Sequence, residues 1–199
     1  MYEENDKQYE LLINARNFHY DNFSKWMSFF YIAIGGIFVG YYSLLTSNSN
    51  EEYVFEKLLL LLMGYAVSLC WHWSCKGYYY WIINWIMLIQ NYEKKFPEEA
   101  RVYNCFANKN ANNNYFKLTK AANISTSKLV LFFSFLTVIS WGVLFVHQLL
   151  KYLGYDTIYC IILFFIIIIV FSVFLGYVPK KFFYSDLSHM PDLSIKNNK

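Results

Sequence analysis

Charge is scarce in this sequence, and its scarcity excludes several classes of protein. Only 16% of the residues are Asp, Glu, Lys or Arg, whereas a soluble globular domain has roughly 25%. The net charge is +3, and a nucleic-acid-binding protein would carry a dense basic face. We therefore expect no direct binding of nucleic acid, and we look to the apolar residues for the fold.

Cysteine frameworks and catalytic residue sets are also missing. The four cysteines have no spacing typical of a disulfide framework. Cys70, His72 and Cys75 stand within six residues, but on a helix these spacings point the three side chains in different directions, so no metal site is predicted. The sequence has no phosphate-binding loop and no Ser/His/Asp set. We expect a protein that is not an enzyme, with no catalytic residues and no cofactor.

Long apolar runs are what the sequence does contain. Four of them cover residues 26–46, 58–76, 128–150 and 158–178, and each is close to the ~20 helical residues that cross a ~30 Å hydrocarbon core. Backbone polar groups in lipid must be paired within the segment, which favours helices. No Asp or Glu lies in any run, which argues against a proton relay. The predicted fold class is all-α, a polytopic membrane protein with four transmembrane helices.

The distribution of Lys and Arg predicts the orientation of these helices. Of the 17 Lys and Arg residues, all but Lys57 and Lys151 lie in the N-terminal segment 1–25, in the stretch 76–128 that connects the second and third runs, or in the C-terminal tail 179–199. Cytoplasmic segments are enriched in Lys and Arg. Both termini are therefore predicted to face the cytoplasm, an N-in/C-in topology.

A helical cytoplasmic layer is predicted beside the membrane. Its first part is an amphipathic helix over residues 1–25, with two neighbouring stripes on one side. One stripe runs through Leu11, Ala15, Phe18 and Asn22, and the other through Leu12, His19 and Phe23. This helix is expected to pack on the part of the second helix that projects from the membrane.

The second apolar run does not stop at residue 76, because an aromatic stretch continues it to about residue 96. It forms either one long helix or, after a break near Gly77, a helix lying in the membrane interface. The long helix is the preferred interpretation, and the polar residues Asn91, Glu93, Lys94 and Lys95 near its end are expected to reach water. The Asn- and Lys-rich segment 97–127 is predicted to be an exposed cytoplasmic loop.

Candidate functional residues are few. Gly36 and Gly40 lie four residues apart in the first run, a spacing that lets another helix approach closely, in the same chain or in another. Arg16 and His19 are separated by two residues, whereas the RNase pairs of HEPN domains are separated by four to six, so they are interpreted as contact residues. The predicted cytoplasmic interaction residues are Arg16, His19, Tyr78, Trp81 and Trp85.

Two stretches carry a family resemblance. The first is Asn14-Ala15-Arg16-Asn17-Phe18-His19-Tyr20 leading into Phe29–Gly35, and the second is Trp71-x-Trp73-x-x-Lys76-x-Tyr78 continuing to Tyr92-Glu93-Lys94-Lys95-Phe96-Pro97. This pattern resembles the small membrane accessory proteins encoded beside the RNA-guided RNase of type VI-B CRISPR loci. It is also similar to the octameric membrane proteins of bacterial defence islands.

The resemblance implies a non-enzymatic homo-oligomer of the bacterial inner membrane. Such a protein would modulate antiphage defence, perform its role in the lipid bilayer, have an RNA-guided RNase as functional partner, and alter membrane permeability as a pore. Two alternatives remain open: a small channel or transporter, or a passive subunit of a membrane complex, in either case unrelated to defence.

Overall fold

The computed structural model describes residues 2–47, 53–104, 124–154 and 177–183, together with Tyr159, Ile166, Val170 and Phe174. Most of this part of the chain is helical and none of it is a strand, as predicted for an all-α protein. Helix α1 is Tyr2–Thr46, α2 is Val54–Glu93 and α3 is Thr126–Tyr152; a short 3₁₀ helix, Glu98–Ala100, follows α2.

All three α-helices are long and apolar enough to cross a membrane. At ~1.5 Å per residue, α1 and α2 extend ~68 and ~60 Å, about twice the ~30 Å hydrocarbon core, because they contain 45 and 40 residues. Each helix must therefore continue outside the hydrocarbon. The predicted segments 1–25 and 26–46 belong to one helix, and α2 passes Gly77 without a break, which is the first of the two alternatives for this stretch.

The predicted fourth span, 158–178, lies almost entirely outside the described residues. The same holds for most of the segment 97–127 and most of the tail 179–199. Three candidate spans are thus found within the residues that the structure describes, whereas four were predicted for the whole chain.

The two ends of α3 follow ordinary capping rules. The hydroxyl of Ser125 accepts a hydrogen bond from the backbone N–H of Lys128 at 3.4 Å, the geometry of an N-cap. After the last turn, Gly154 adopts the left-handed conformation with φ 74°, which an L side chain would resist. Its N–H donates to the carbonyl of Lys151 at 3.2 Å.

The chain divides into two compact units, each with its own core. Unit 1 consists of Met1–Ile32 and Cys70–Leu136, and unit 2 of Ala33–Leu69 and Thr137–Lys199. Every one of the three helices contributes to both units, because each unit takes one end of each helix.

Trp71 is the centre of the apolar part of unit 1. It is buried, its indole N–H donates to Sδ of Met27 at 2.9 Å, and the rings of Tyr31 and Phe133 meet it edge-on at 5.2 and 5.8 Å. Aromatic pairs in this arrangement add to the free energy of burial.

His72, the neighbour of Trp71, is also buried and connects α2 to α3. Its Nδ1 lies 3.0 Å from the hydroxyl of Ser134, which itself donates to the carbonyl of Leu131 at 2.8 Å.

Unit 2 packs around Trp141, with Tyr41 and Leu61 as its other buried members. Two glycines let α2 and α3 approach closely here. A Cβ built on Gly64 would lie 2.6 Å from Cδ2 of Trp141, and one built on Gly142 would lie 3.2 Å from Cε2 of Tyr65. Each helix therefore presents a glycine to an aromatic ring of the other, in reciprocal positions.

Candidate functional site

A buried carboxylate lies at the end of α2, well beyond the predicted span. Glu93 is the last residue of that helix, and none of its surface is exposed. Its Oε1 accepts hydrogen bonds from the Tyr9 hydroxyl at 2.8 Å and from the N–H groups of Val102 and Tyr103 at 3.0 and 2.9 Å. Its Oε2 accepts from the N–H groups of Tyr103 and Asn104 and from the Asn104 amide, at 3.0, 3.0 and 3.2 Å. We call these five residues the Glu93 network.

The chain reverses after α2 so that these donors can reach the carboxylate. The 3₁₀ helix follows Pro97, and the chain then returns to Glu93. Arg101 stabilises this return, because its guanidinium donates to the carbonyls of Phe96 at 3.0 Å and Lys94 at 3.5 Å. Cationic donors at the carbonyl end of a helix are favourable.

A second pair of contacts binds the returning chain to the last turn of α2. The Asn104 amide donates to the carbonyl of Gln90 at 2.9 Å, and the Gln90 amide donates to the carbonyl of Tyr103 at 3.3 Å. The start of the Asn- and Lys-rich segment is thereby held against the end of α2.

Tyr9 brings α1 into the Glu93 network. Desolvation, with further contributions from the hydrogen bond and the charge of Glu93, raises the pKa of Tyr9 to about 12. The hydroxyl therefore stays protonated and keeps donating at physiological pH. Its ring packs edge-on against Phe96 at 5.4 Å and stacks with Tyr92 at 6.4 Å. The Tyr92 hydroxyl donates to Gln8 at 2.9 Å, a second polar contact between α1 and α2.

Nearer the predicted span, Tyr78 of α2 stacks on two rings of α1. His19 lies 3.9 Å from it, with 7° between the planes, and Phe23 lies 4.0 Å away at 21°. We call these three residues the Tyr78 stack. Desolvation lowers the pKa of His19 below its usual value of 6.5, so the ring is neutral at pH 7 and suited to aromatic packing.

Arg16 lies between the Tyr78 stack and the Glu93 network along α1. Its guanidinium carbon is 5.4 Å from the ring centroid of Tyr20 and 5.1 Å from that of Tyr103. These are cation–π distances. Arg16 thus connects α1 to the returning segment that Glu93 holds.

The chemistry available to Glu93 is limited by its own partners. A carboxylate offers about four lone-pair positions, and six hydrogen bonds from the protein already converge on its two oxygens. A general base needs a free position facing a substrate. The group therefore holds three pieces of chain together: α1, the end of α2 and residues 102–104.

Three of the predicted interaction residues take part in the contacts described above: Arg16 with the ring of Tyr103, and His19 with Tyr78. Trp81 is half-buried with its ring 5.7 Å from that of Tyr80, and Trp85 is half-buried one turn further on.

The two predicted packing glycines differ from one another. A Cβ on Gly40 would meet the side chain of Leu60 at 3.6 Å, an ordinary contact within the chain. A Cβ on Gly36 would meet nothing within 4 Å.

One expectation about the packing of α1 and α2 was wrong. Of the two stripes on α1, the one through His19 and Phe23 packs on α2, whereas Leu11 and Phe18 of the other are 67% and 68% exposed. At the end of α2, Glu93 does not reach water, because it is fully buried.

Sequence reasoning missed Glu93 although one signal was available. A carboxylate in the last turn of a helix faces the negative end of the helix dipole, so its presence there indicates compensating donors. The donors themselves are mostly backbone N–H groups of residues 102–104, which no side-chain pattern reveals.

Among the residues that the structure describes, no three His, Cys, Asp or Glu side chains are grouped closely enough to hold a metal ion. His72 contacts Ser134, Cys75 lies buried 3.7 Å from Sδ of Met27, and Cys70 is exposed.

Comparison with known proteins gives one match. The model of the octameric membrane protein family (8xMP) matches residues 6–150, which include α2, the Glu93 network and nearly all of α1 and α3. No curated protein matches the chain, and no solved structure matches it.

Proposed function

Because the chain belongs to the octameric membrane protein family, we propose that it works as a non-enzymatic oligomer of the bacterial inner membrane. In this proposal it modulates RNA-guided antiphage immunity of the type VI-B CRISPR kind by altering membrane permeability. The family and the three apolar helices support a membrane oligomer. The resemblance of Asn14–Tyr20 and Trp71–Tyr78 to CRISPR accessory proteins supports the defence role.

The proposed topology places both termini in the cytoplasm. It is supported by the Lys and Arg residues, of which only Lys57 and Lys151 fall on the other side. In this orientation the Glu93 network and the Tyr78 stack form a cytoplasmic layer on α1 and α2.

The observation that carries the proposal is the way this layer is built. The polar groups of the Glu93 network hold chain segments together, and α1 and α2 run without a break from the layer into the predicted spans. A helix that is hydrogen-bonded along its length transmits a displacement of one end to the other. A partner acting on the layer therefore has a direct mechanical route to the membrane. The proposed functional partner is the RNA-guided RNase, with no direct contact to nucleic acid.

The test is a measurement of membrane potential in phage-infected cells that carry the RNA-guided RNase, with and without this protein. We expect depolarisation and a lower phage yield only when the protein is present. A variant with Glu93→Ala should lose both effects, and Glu99→Ala, on the exposed 3₁₀ helix, serves as its matched control. Equal depolarisation and equal phage yield with and without the protein would refute the proposal.

A further inference from the structure

Three long stretches of the sequence, one in each of the three α-helices, contain a single charged side chain, and in every case it is a lysine. These are Lys25 within residues 22–50, Lys76 within residues 58–92 and Lys128 within residues 121–150. All three side chains are exposed, and all three belong to unit 1. We call them the boundary lysines.

Contacts between α1 and α2 place the first two boundary lysines at the same height. Phe23 of α1 stacks on Tyr78 of α2, and Sδ of Met27 lies 3.7 Å from Sγ of Cys75. Lys25 is midway between the two contact residues of α1, and the lysine of α2 lies between their partners. The two helices run in opposite directions, so these lysines are level to within about one residue, or ~1.5 Å.

The third boundary lysine lies close to the same level. Helices α2 and α3 also run in opposite directions, and His72 contacts Ser134 across them. Lys76 follows His72 by four residues, and Lys128 precedes Ser134 by six. The difference of two residues corresponds to ~3 Å along the helix axis. The only charged groups of three long stretches therefore lie at one height.

Two of the boundary lysines stand at the ends of exposed apolar stripes that continue into the predicted spans. The stripes consist of Lys25, Phe29 and Ile32 on α1 and of Lys128, Phe132 and Leu136 on α3. Spacings of three and four residues place the members of each stripe on one face of their helix. Trp26, which is 61% exposed at the same height, is typical of the membrane–water interface. The boundary lysines thus lie where the hydrocarbon ends and the lipid headgroups begin.

The chemistry of these lysines fits the phosphate of a lipid headgroup. A lysine side chain lays its methylene groups along apolar surface and extends its ammonium group into the polar region. The nearest carboxylate along α1 is Asp21, which is exposed and lies one turn before Lys25, further from the span. An exposed pair of this kind contributes little, so it leaves the lysine available to another anion.

We propose that Lys25, Lys76 and Lys128 bind the headgroups of anionic phospholipids at one edge of the membrane. Anionic lipids are favoured over zwitterionic ones because the latter carry a positive group of their own beside the phosphate. Lipid recognition goes beyond the proposed function. It also holds for either orientation of the chain, because the three lysines lie at the same edge in both.

The experiment measures which lipid the full chain prefers at its surface. The protein is reconstituted in phosphatidylcholine vesicles that contain a small amount of spin-labelled phosphatidylglycerol or, in a parallel sample, spin-labelled phosphatidylcholine. Electron paramagnetic resonance separates lipid bound at the protein from lipid in the bulk bilayer. We expect phosphatidylglycerol to bind the wild type more strongly, because the attraction of one lysine to an anionic surface corresponds to about a fivefold change in binding. Raising the salt from about 0.01 M to about 1 M should weaken this preference, because the Debye length falls from about 30 Å to about 3 Å.

Two variants with the same loss of charge show whether the boundary lysines are responsible. The test variant combines Lys25→Gln, Lys76→Gln and Lys128→Gln, and it should bind the two lipids equally. The control variant combines three changes of other exposed lysines, Lys7→Gln, Lys94→Gln and Lys95→Gln. These lie ~25 Å or more from the boundary lysines along the helices, so the preference should remain. Arginine at the three boundary positions should also preserve it, because the positive charge is retained.

The outcomes separate this inference from the proposed function. Equal binding of the two lipids by the wild type would overturn it and would indicate that a neighbouring copy or another protein covers the lysines. A preference that survives in the test variant, or that is lost in the control variant, would overturn it as well. A lysine-dependent preference in a protein that causes no depolarisation would leave this inference standing and refute the proposed function.

Discussion

The two units of this protein hold the same helices together by different means. Unit 2 relies on close packing, in which Gly64 and Gly142 bring the rings of Trp141 and Tyr65 against the opposite backbone. The outer part of unit 1 relies on one charged group, because Glu93 gathers hydrogen bonds from α1 and from residues 102–104. Unit 2 also buries one charged side chain, Lys57, near the start of α2, but the cluster around which it packs, Trp141 with Tyr41 and Leu61, is aromatic and aliphatic.

The difference fits the surroundings predicted for each unit. Lipid provides no hydrophobic driving force between helices, so close contact at small residues does the work there. Outside the hydrocarbon, a buried carboxylate with all its partners fixes a single arrangement of the chain. The stability of unit 2 should therefore depend mainly on side-chain volume at its glycine contacts. The stability of the Glu93 network in unit 1 should depend mainly on the presence of the hydrogen-bond acceptor.

The largest effect is expected from Glu93→Ala. This change leaves several buried donors without an acceptor, and each costs about 1–3 kcal/mol when unpaired. We expect a marked fall in the melting temperature and rapid hydrogen exchange at the N–H groups of residues 102–104, measured by mass spectrometry. Glu99→Ala, which removes an exposed carboxylate, should change neither. Unchanged exchange at residues 102–104 in the Glu93 variant would show that the network does not hold this segment.

Gly64→Ala should have the next largest effect, and it acts on unit 2. The added methyl group overlaps the ring of Trp141, and overpacking of this kind costs about 1–3 kcal/mol. Gly77→Ala is the matched control, because nothing lies within 4 Å of its added Cβ and alanine favours a helix by about 0.5–1 kcal/mol over glycine. Thermal unfolding in detergent should show the two variants moving in opposite directions. A Gly64 variant as stable as the wild type would contradict the close approach.

A smaller effect is expected from Tyr9→Phe. The ring contacts with Phe96 and Tyr92 remain, and only one of the six hydrogen bonds to Glu93 is lost, so the cost should be about 1 kcal/mol. Urea titration of the purified protein, followed by tyrosine fluorescence, provides the measurement. The effect of Tyr9→Phe should vanish in the Glu93→Ala background, because the two residues act through the same bond.

The smallest effect is the pH dependence due to His19. Its pKa is lowered in the folded protein, so below about pH 6.5 the unfolded chain takes up a proton that the folded chain does not. Its stabilising contribution is complete above that pH and declines as the pH falls. The decline between pH 7 and 5 should be shallower in His19→Gln than in the wild type. His147→Gln, which alters an exposed ring, is the control. If the free energy of unfolding falls equally steeply with pH in all three proteins, His19 does not cause the pH dependence.

The helices could be predicted from the sequence because their signals are strong. The apolar runs predicted both ends of α3 and the C-terminal end of α1 to within a few residues, and the aromatic stretch after residue 76 indicated the long α2. Helix α1 begins well before the predicted span 26–46, because the segments 1–25 and 26–46 form one helix. The face that α1 turns to α2 was harder to predict. Leu11 and Phe18 form as regular a stripe as His19 and Phe23, and periodicity alone cannot say which of two adjacent apolar stripes finds a partner.

The Glu93 network could not be predicted from residue types. Its acceptor looks like one member of a polar run with Lys94 and Lys95, and the donors depend on how the chain turns after Pro97. Similarly, the spacing of Gly36 and Gly40 predicts helix packing, whereas the tightest glycine contact among the described residues is at Gly64. A single glycine in an apolar run gives no indication of the ring that fills its place.

The reciprocal contacts of Gly64 with Trp141 and of Tyr65 with Gly142 restrict how α3 can move along α2. A slip by one turn, ~5.4 Å, would bring the indole opposite Leu60 or Ser68, where a side chain occupies the place that glycine leaves empty. The phenol of Tyr65 would lose its recess at the same moment. Both glycine–ring contacts therefore oppose sliding of α3 along α2 in either direction. Tilting and rolling of the two helices about these contacts do not require either ring to leave its glycine.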